Sequence, residues 1–267
     1  MMKFLMAPLM ALGLAHPAPV KAANAAAGLT GQTAMYTLSL YKVRTPDVTG
    51  AAGQMRFAIT DGCTGWGTTQ HMTLLIRNAD GTLTKTVSDY VTWESKDGKT
   101  LTFSLSERDN DGKTIIDDAG IATHSGADGR GLIVYSTPAN TRLTMPPGTL
   151  FPMAHTVRLL AAGRDGDKYV SVPLFDGTAA DGAQATFIAV LGHHKPGPAP
   201  YPALAALPST DVDIAFYDRT NDDENPDFRS QMRYFENGVT TNMLLDFGDF
   251  TMQAKLSALQ IPASPCK

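Results

Sequence analysis

TLTFSLSERDNDG, residues 100–112, is the stretch that decides the fold class. Its apolar residues Leu101, Phe103 and Leu105 alternate with Thr and Ser, and it ends in Asn-Asp-Gly at positions 110–112. A period of two predicts a β-strand with one buried face. Asp-Gly tolerates the positive φ that a tight hairpin turn needs. The stretch therefore predicts a strand that runs into a hairpin turn.

The same pattern recurs on both sides of this stretch. Apolar residues alternate with other residues at 36–41, 55–60, 228–234 and 239–245, and turn signals lie at 79–81, 96–98 and 236–238. We expect about a dozen strands of this kind, joined mostly as meanders. The chain is therefore predicted to be all-β, with a long antiparallel sheet that buries one face of each strand.

Two segments interrupt the alternation. Residues 153–163 show helical spacing after Pro152, which suits a first helical turn, and Gly163 is a plausible stop. We predict one short α-helix here that plugs or caps the sheet. Residues 193–208 contain five Pro in 16 residues, which rules out a central strand. We interpret them as a long loop within a single domain over residues 23–267.

The first 22 residues have the pattern of a secretory signal peptide. Lys3 precedes an apolar run at residues 4–15. The small residues Val20 and Ala22 suit a cleavage site, and Ala23-Asn24-Ala25 is an alternative site. A membrane anchor is the competing interpretation, but two Pro and one Lys interrupt the run within the roughly 20 residues that a spanning helix needs. We expect an exported, soluble mature chain without a transmembrane segment, located in the periplasm.

The chain has two cysteines, Cys63 and Cys266. In an oxidising compartment two cysteines usually pair, so we predict a disulfide between them. Two free thiols, or a catalytic Cys63, are the alternatives. A catalytic thiolate needs a nearby base, and the sequence shows no sign of one.

Charge and motifs argue against several functions. There are 22 Lys plus Arg against 26 Asp plus Glu, and the net charge of −4 does not favour a nucleic-acid binder. The sequence lacks Gly-x-Ser-x-Gly, a P-loop, a dinucleotide fingerprint and His-Glu-x-x-His. We therefore predict a protein that is not an enzyme and that uses no metal and no cofactor.

A curved sheet with an apolar concave face could hold an acyl chain, because ligand sites are mostly apolar with a few polar groups. The candidate residues for the lining, or equally for a filled core, are Trp66, Trp93, Phe57, Phe103, His155 and Phe187. Alternation does not distinguish a cavity from a core. His155 is most simply a helix histidine bonded to the sheet, although a general base acting with Asp176 is an alternative.

Two further groupings have weaker functional interpretations. Acidic residues between Glu107 and Asp118 match a calcium loop in part, but their flanks look like strands, so a solvated hairpin tip is the better interpretation. His193 and His194 are adjacent on an extended segment, where neighbouring side chains point apart. We expect them to be solvated.

Four segments in order along the chain resemble the EipB family of periplasmic cell-envelope integrity proteins. They are DGCTGWGTTQ at residues 61–70, TWESKDGKTLTF at 92–103, MPPGTLFPMAHTVRLLAAG at 145–163 with PLFDGT at 173–178, and NGVTTNMLLDFGDFTMQAKL at 237–256 with the later Pro265-Cys266. The resemblance implies one domain built from an antiparallel sheet curled into a β-spiral or half-barrel. It also implies the Cys63–Cys266 disulfide and a role in the stressed envelope of Gram-negative bacteria. It implies no catalytic residues.

Three functions remain open at this level. The first is a non-enzymatic periplasmic protein that supports envelope integrity by binding a protein partner, such as a helical-repeat scaffold, at a sheet edge. The second is a carrier of a lipid or another hydrophobic envelope component in the concave face. The third is a hydrolase that uses His155 with Asp176.

Overall fold

The computed structural model describes residues 28–128, 130–218 and 225–266, so the predicted signal peptide at residues 1–22 lies outside the described residues. The strands are β1 (Gln32–Val43), β2 (Val48–Asp61), β3 (Gly65–Asn78), β4 (Leu83–Ser95), β5 (Thr100–Arg108), β6 (Thr114–His124), β7 (Gly131–Thr137), β8 (Arg142–Met145), β9 (Tyr169–Leu174), β10 (Gln184–His194), β11 (Ser209–Tyr217), β12 (Phe228–Phe235), β13 (Thr240–Asp246) and β14 (Phe250–Gln260). The helices are α1 (Pro152–Asp165) and the single turn α2 (Pro202–Ala205).

All these strands form one antiparallel sheet in the order β8-β7-β6-β5-β4-β3-β2-β1-β14-β13-β12-β11-β10-β9. Two meanders therefore meet where the first strand pairs with the last, with Tyr36 opposite Leu256. Hairpin turns link most neighbours, as at Gly98 and Gly112, whose φ values of 66° and 75° favour glycine. The all-β prediction is confirmed, with fourteen strands in the described part of the chain.

The sheet curls but does not close by strand pairing. The segment after β8 reaches β9, which lies at the opposite end of the strand order. There the Leu150 amide donates to the Pro173 carbonyl at 2.8 Å, and the Phe175 amide donates to the Leu150 carbonyl at 3.0 Å. Because these bonds join the two ends of the sheet, the concave face encloses a space. This arrangement confirms the prediction of a long antiparallel sheet curled into a β-spiral or half-barrel.

Helix α1 packs on the concave side against β9, β10 and β11. Leu159 and Leu160 share a buried cluster with strand residues such as Ile188. The predicted stop at Gly163 was wrong, because the helix continues to Asp165 and ends at Gly166, whose φ is 77°. Gly163 is small for a different reason: a Cβ there would overlap the Thr210 side chain.

The loop in the Pro-rich segment, residues 193–208, is shorter than predicted. β10 extends through His194, and α2 interrupts the loop with a helical turn. Leu204 in that turn is fully buried in the largest apolar cluster, so the loop folds back onto the sheet. No helix in the described ranges is long and apolar enough to cross a bilayer.

Cys63 and Cys266 form a disulfide with a Cα–Cα distance of 5.4 Å, as the sequence predicts. It joins the turn between β2 and β3 to the segment that follows β14. Asp61 lies beside this turn and pairs with Lys96 at 2.5 Å. The Lys96 ammonium lies 4.5 Å from the Trp66 ring centroid, a cation–π contact at the same corner of the sheet.

Candidate functional site

A cavity of about 390 Å³ lies inside the curled sheet. Strands β1 to β4 form one wall, and β11 to β13 form the facing wall. The first turns of α1 and the segment after β9 contribute the remaining side. Its volume falls within the roughly 300–1,000 Å³ range of small-molecule sites.

Most of the lining is apolar and much of it is flexible. Five methionines and four phenylalanines contribute, namely Met55, Met72, Met153, Met232, Met243, Phe57, Phe216, Phe228 and Phe247. Methionine has three rotatable bonds and a polarisable sulfur, so a methionine-rich wall adapts to ligands of different shape. The arrangement suits an apolar ligand without a rigid outline.

Polar groups gather where α1 and the segment after β9 meet β4. We call Tyr90, His155, Thr156, Asp176 and Thr178 the polar side of the cavity. The Tyr90 hydroxyl donates to the Asp176 carbonyl at 2.6 Å, and burial raises the pKa of Tyr90 well above its usual value. This bond joins β4 to the segment after β9 and so helps to close the curl.

His155 is a buried, neutral histidine. Its Nε2 lies 3.1 Å from the Thr186 hydroxyl, which itself donates to the Val172 carbonyl at 2.6 Å. The hydroxyl must therefore accept from Nε2–H, and this leaves Nδ1 as the unprotonated nitrogen. Burial lowers the pKa of His155 to about 4. These observations agree with the simpler interpretation of a helix histidine bonded to the sheet.

Asp176 is the acidic group of the lining. Its Oδ1 accepts from the Thr178 amide at 3.0 Å and from the Thr178 hydroxyl at 2.7 Å. Burial raises the pKa of this carboxyl, against the effect of those two bonds. Among the described residues that line the cavity there is no Lys or Arg, so no cationic side chain neutralises Asp176 from the wall.

The Glu94 carboxylate binds the N-terminal turn of α1 and so fixes the helix on the sheet. It is 1% exposed, and its Oε2 and Oε1 accept from the amides of Met153 at 2.7 Å and Ala154 at 3.1 Å. These are free first-turn amides of α1, and the N-cap residue Phe151 supplies no side-chain bond. Burial raises the pKa of Glu94 to about 7, although both amide bonds oppose the rise.

Sequence reasoning missed the role of Glu94, although a signal was present. In β4 the inward positions are Ser88, Tyr90, Thr92 and Glu94, and all of them except the partly buried Tyr90 are buried. A carboxylate at an inward position of an alternating strand needs a partner. Its partner lies 59 residues later in the chain, at a helix start whose place in space the sequence does not reveal.

The six candidate lining residues divide into three groups. Phe57 and His155 line the cavity. Trp66 and Phe103 are 2% exposed and belong to filled core. Trp66 packs in the cluster around α1, and Phe103 meets the Tyr135 and Phe175 rings edge-on, at centroid distances of 5.4 and 5.1 Å.

For Trp93 and Phe187 the predicted place in the lining or core was wrong. They are 40% and 42% exposed on the outer face. Trp93 lies between the inward residues Thr92 and Glu94, so alternation turns it outward. Phe187 precedes the fully buried Ile188 and stacks on Tyr169 outside the sheet, with ring centroids 5.9 Å apart.

The weaker groupings behave as solvated or structural features. Asp109 accepts from the amides of Asp111 and Lys113, so it closes a hairpin tip. His193 bonds Thr210 and His194 bonds Asp211, so the two rings point apart.

In the described part of the chain, one grouping brings three possible metal ligands together. It consists of Asp61, Cys63 and Cys266. The two cysteine sulfurs are bonded to each other in the disulfide, and the Asp61 carboxylate forms an ion pair with Lys96.

Comparisons with known proteins agree with this architecture. A model of the EipB-like family matches residues 23–263. The chain is 27% identical over 251 residues to the cell envelope integrity protein EipB of Brucella abortus (strain 2308), covering 90% of this chain and 86% of that protein. A crystal structure described as a beta-barrel-like protein of a domain of unknown function, also from Brucella abortus, superposes with a TM-score of 0.79 at 25% identity. The match covers 88% of this chain and 98% of that one. Because the family model spans most of the sequence, this chain belongs to the EipB-like family.

Proposed function

We propose that this protein is a periplasmic, non-enzymatic protein that supports cell-envelope integrity by binding a lipid or another hydrophobic envelope component inside its curled sheet. The observation that carries the proposal is the cavity of about 390 Å³ lined by methionine and aromatic side chains. A sheet that served only as a scaffold would gain stability by filling this space, since interiors pack with few voids larger than a water molecule.

The envelope part of the proposal comes from the relative. The Brucella abortus protein is named a cell envelope integrity protein, and the match extends over 90% of this chain. The signal-like first residues support export to the periplasm. A carrier that moves or stores a hydrophobic component between membranes needs an enclosed apolar site, and the concave face offers one.

The non-enzymatic part rests on the state of the polar side. His155 is neutral and holds its Nε2 proton against Thr186, so this nitrogen is occupied by the sheet. A hydrolase of the serine or cysteine type also needs a side-chain nucleophile that a base activates. The described polar side contains no serine or cysteine that contacts His155.

The test compares two charged substitutions in the same strand. Met72→Lys places an ammonium in the cavity wall, whereas Leu75→Lys places it on the outer face, where Leu75 is 39% exposed. Protein isolated gently from the periplasm is weighed by native mass spectrometry before and after solvent extraction. We expect extractable extra mass with the wild type and Leu75→Lys, and its loss with Met72→Lys.

Two results would contradict the proposal. One is a bare wild-type chain that also fails to take up a dodecyl amphiphile in titration. The other is unchanged retention in Met72→Lys. Circular dichroism melting of both variants separates loss of ligand from loss of fold.

Binding of a protein partner is a second candidate, favoured by the outer face. Val91, Trp93 and Ile121 are 40–50% exposed there. The sheet register places Thr102 opposite both Trp93 and Ile121, so these side chains are neighbours on one surface. Chemical crosslinking in the periplasm should capture an envelope protein such as a helical-repeat scaffold. Trp93→Ser should weaken that capture without changing the melting temperature, and equal capture would contradict this surface.

A further inference from the structure

The hydrogen-bond directions at the polar side restrict the ligand that the cavity accepts. The Tyr90 hydroxyl proton goes to the Asp176 carbonyl, and the Thr178 hydroxyl proton goes to Asp176 Oδ1. The Thr156 hydroxyl donates to the Pro152 carbonyl at 3.0 Å. Each hydroxyl has one proton and two lone pairs, so all three now face a ligand as acceptors only.

His155 and Asp176, the remaining two residues of the polar side, also act as hydrogen-bond acceptors. His155 has its Nε2 proton on Thr186 and retains a lone pair on Nδ1. In its ionised form Asp176 is an acceptor only: Oδ1 binds Thr178, and Oδ2 supplies further lone pairs. The polar side therefore offers mostly acceptors to a ligand, and a donor beside it is the Gln70 amide, which lies opposite Tyr90 in the sheet.

The charged residues of the cavity lining also disfavour an anionic headgroup. No Lys or Arg appears among the described residues of the lining, so a carboxylate or phosphate headgroup would face Asp176 without a counter-ion. An ion placed in an apolar enclosure without a partner is strongly disfavoured. An ionised Asp176 adds like-charge repulsion, which discriminates further against such ligands.

We infer that the cavity selects amphiphiles whose headgroup donates hydrogen bonds and bears no negative charge, with Asp176 as the residue that sets this preference. The inference rests on the proposed function and specifies its ligand class. A hydroxylated headgroup would donate to Asp176 Oδ2 and to the lone pairs of Tyr90 and Thr178. An ammonium headgroup would do the same and pair with the carboxylate.

The experiment uses three probes with the same twelve-carbon chain: monododecanoyl glycerol, dodecylamine and dodecanoate. Each is titrated into the mature, delipidated, disulfide-bonded protein at pH 7.5 and below its micelle concentration. We expect the glyceride and the amine to bind at least tenfold more tightly than dodecanoate. The glyceride and amine arms then distinguish a hydroxyl from a cationic headgroup.

Asp176→Asn assigns the preference to one residue. The amide keeps an acceptor, loses the charge and gains a donor. The affinity for dodecanoate should therefore rise at least tenfold, and the affinity for dodecylamine should fall at least tenfold. Asp89→Asn is the matched control, because Asp89 pairs with His71 and Arg108 rather than with the cavity. It should leave all three affinities unchanged.

The outcomes separate the two proposals. If none of the probes binds, the proposed function fails and the inference fails with it. If dodecanoate binds as tightly as the others, the ligand class is wrong while a lipid-binding function stands. If the wild type discriminates and a folded Asp176→Asn does so equally, the assignment to Asp176 is wrong. If that variant does not fold, the ranking of probes on the wild type decides the ligand class.

Discussion

Glu94 is the residue whose replacement tests the architecture of the site most directly. Its carboxylate accepts from two first-turn amides of α1 and is 1% exposed. Glu94→Ala leaves both amides buried without an acceptor. An unsatisfied buried group costs about 1–3 kcal/mol, so two of them would cost about 2–6 kcal/mol.

Part of that loss is offset because the buried charge is itself unfavourable. Burial moves the pKa of Glu94 from 4.5 to about 7, which corresponds to about 3 kcal/mol against the charged form at high pH. We therefore expect Glu94→Ala to destabilise the fold by about 2–6 kcal/mol at pH 5, where the charge penalty is largely absent, and by about 3 kcal/mol less at pH 7.5. For a domain of this size the loss at pH 5 lowers the melting temperature by roughly 5–20 °C.

The raised pKa also gives a pH dependence with a definite sign. Between pH 4.5 and 7 the folded state binds more protons at Glu94 than the unfolded state does, so stability falls as pH rises. This contribution is fully present below pH 4.5 and is lost as pH rises through 7. Glu94→Gln does not titrate, so its stability should fall less over this range, by up to about 3 kcal/mol.

Urea unfolding at pH 5 and pH 7.5 measures these differences, followed by intrinsic fluorescence and circular dichroism. Asp111→Asn, at the exposed tip of the hairpin between β5 and β6, is the control and should match the wild type at both pH values. The reasoning is refuted if Glu94→Ala at pH 5 lies within about 0.5 kcal/mol of the wild type, a shift typical of surface substitutions. It is also refuted if Glu94→Gln keeps the full wild-type pH dependence.

Two further predictions concern the disulfide and the helix contact. Cys63→Ser or Cys266→Ser should lower the melting temperature by at least several degrees and raise protease sensitivity. The bridge spans a sequence separation of 203, worth up to about 5 kcal/mol in the chain-entropy model; an unchanged non-reducing melting curve would count against this. Gly163→Ala should destabilise by about 1–3 kcal/mol, because the added methyl overlaps Thr210. Helix propensity alone predicts a gain of about 1 kcal/mol, so a more stable variant would show that the contact relaxes.

The local pattern predicted much of the fold. Alternation at residues 100–105 and the Asp-Gly turn after it predicted β5 and its hairpin, and both are present. Pro152 marked the start of α1. The sequence did not predict the end of α1. Gly163 allows a close contact with Thr210, and the helix ends at Gly166. A glycine can end a helix or allow a close contact with another element, and only the folded structure shows which role a given glycine has.

The site was predicted in part, and the missing part has a common cause. Phe57 and His155, two of the six candidate residues, lie on the cavity wall. Trp93 was not, because its bulk suggested burial while the inward neighbours Thr92 and Glu94 require it to face outward. The strand period contained this information, but hydrophobicity outweighed it in the prediction.

By itself, the sequence determined the strand period, the turns, the start of α1 and the two cysteines available for a bridge. These features depend on neighbours in the chain and on local backbone preferences. Only the tertiary structure decided that the concave face holds a cavity and that Glu94 binds the start of α1. It also decided that the polar side presents acceptors. Alternation records which face of a strand points inward, whereas the space between facing walls depends on how far the sheet curls. That curl is set by contacts between residues far apart in the chain, such as Tyr90 with Asp176.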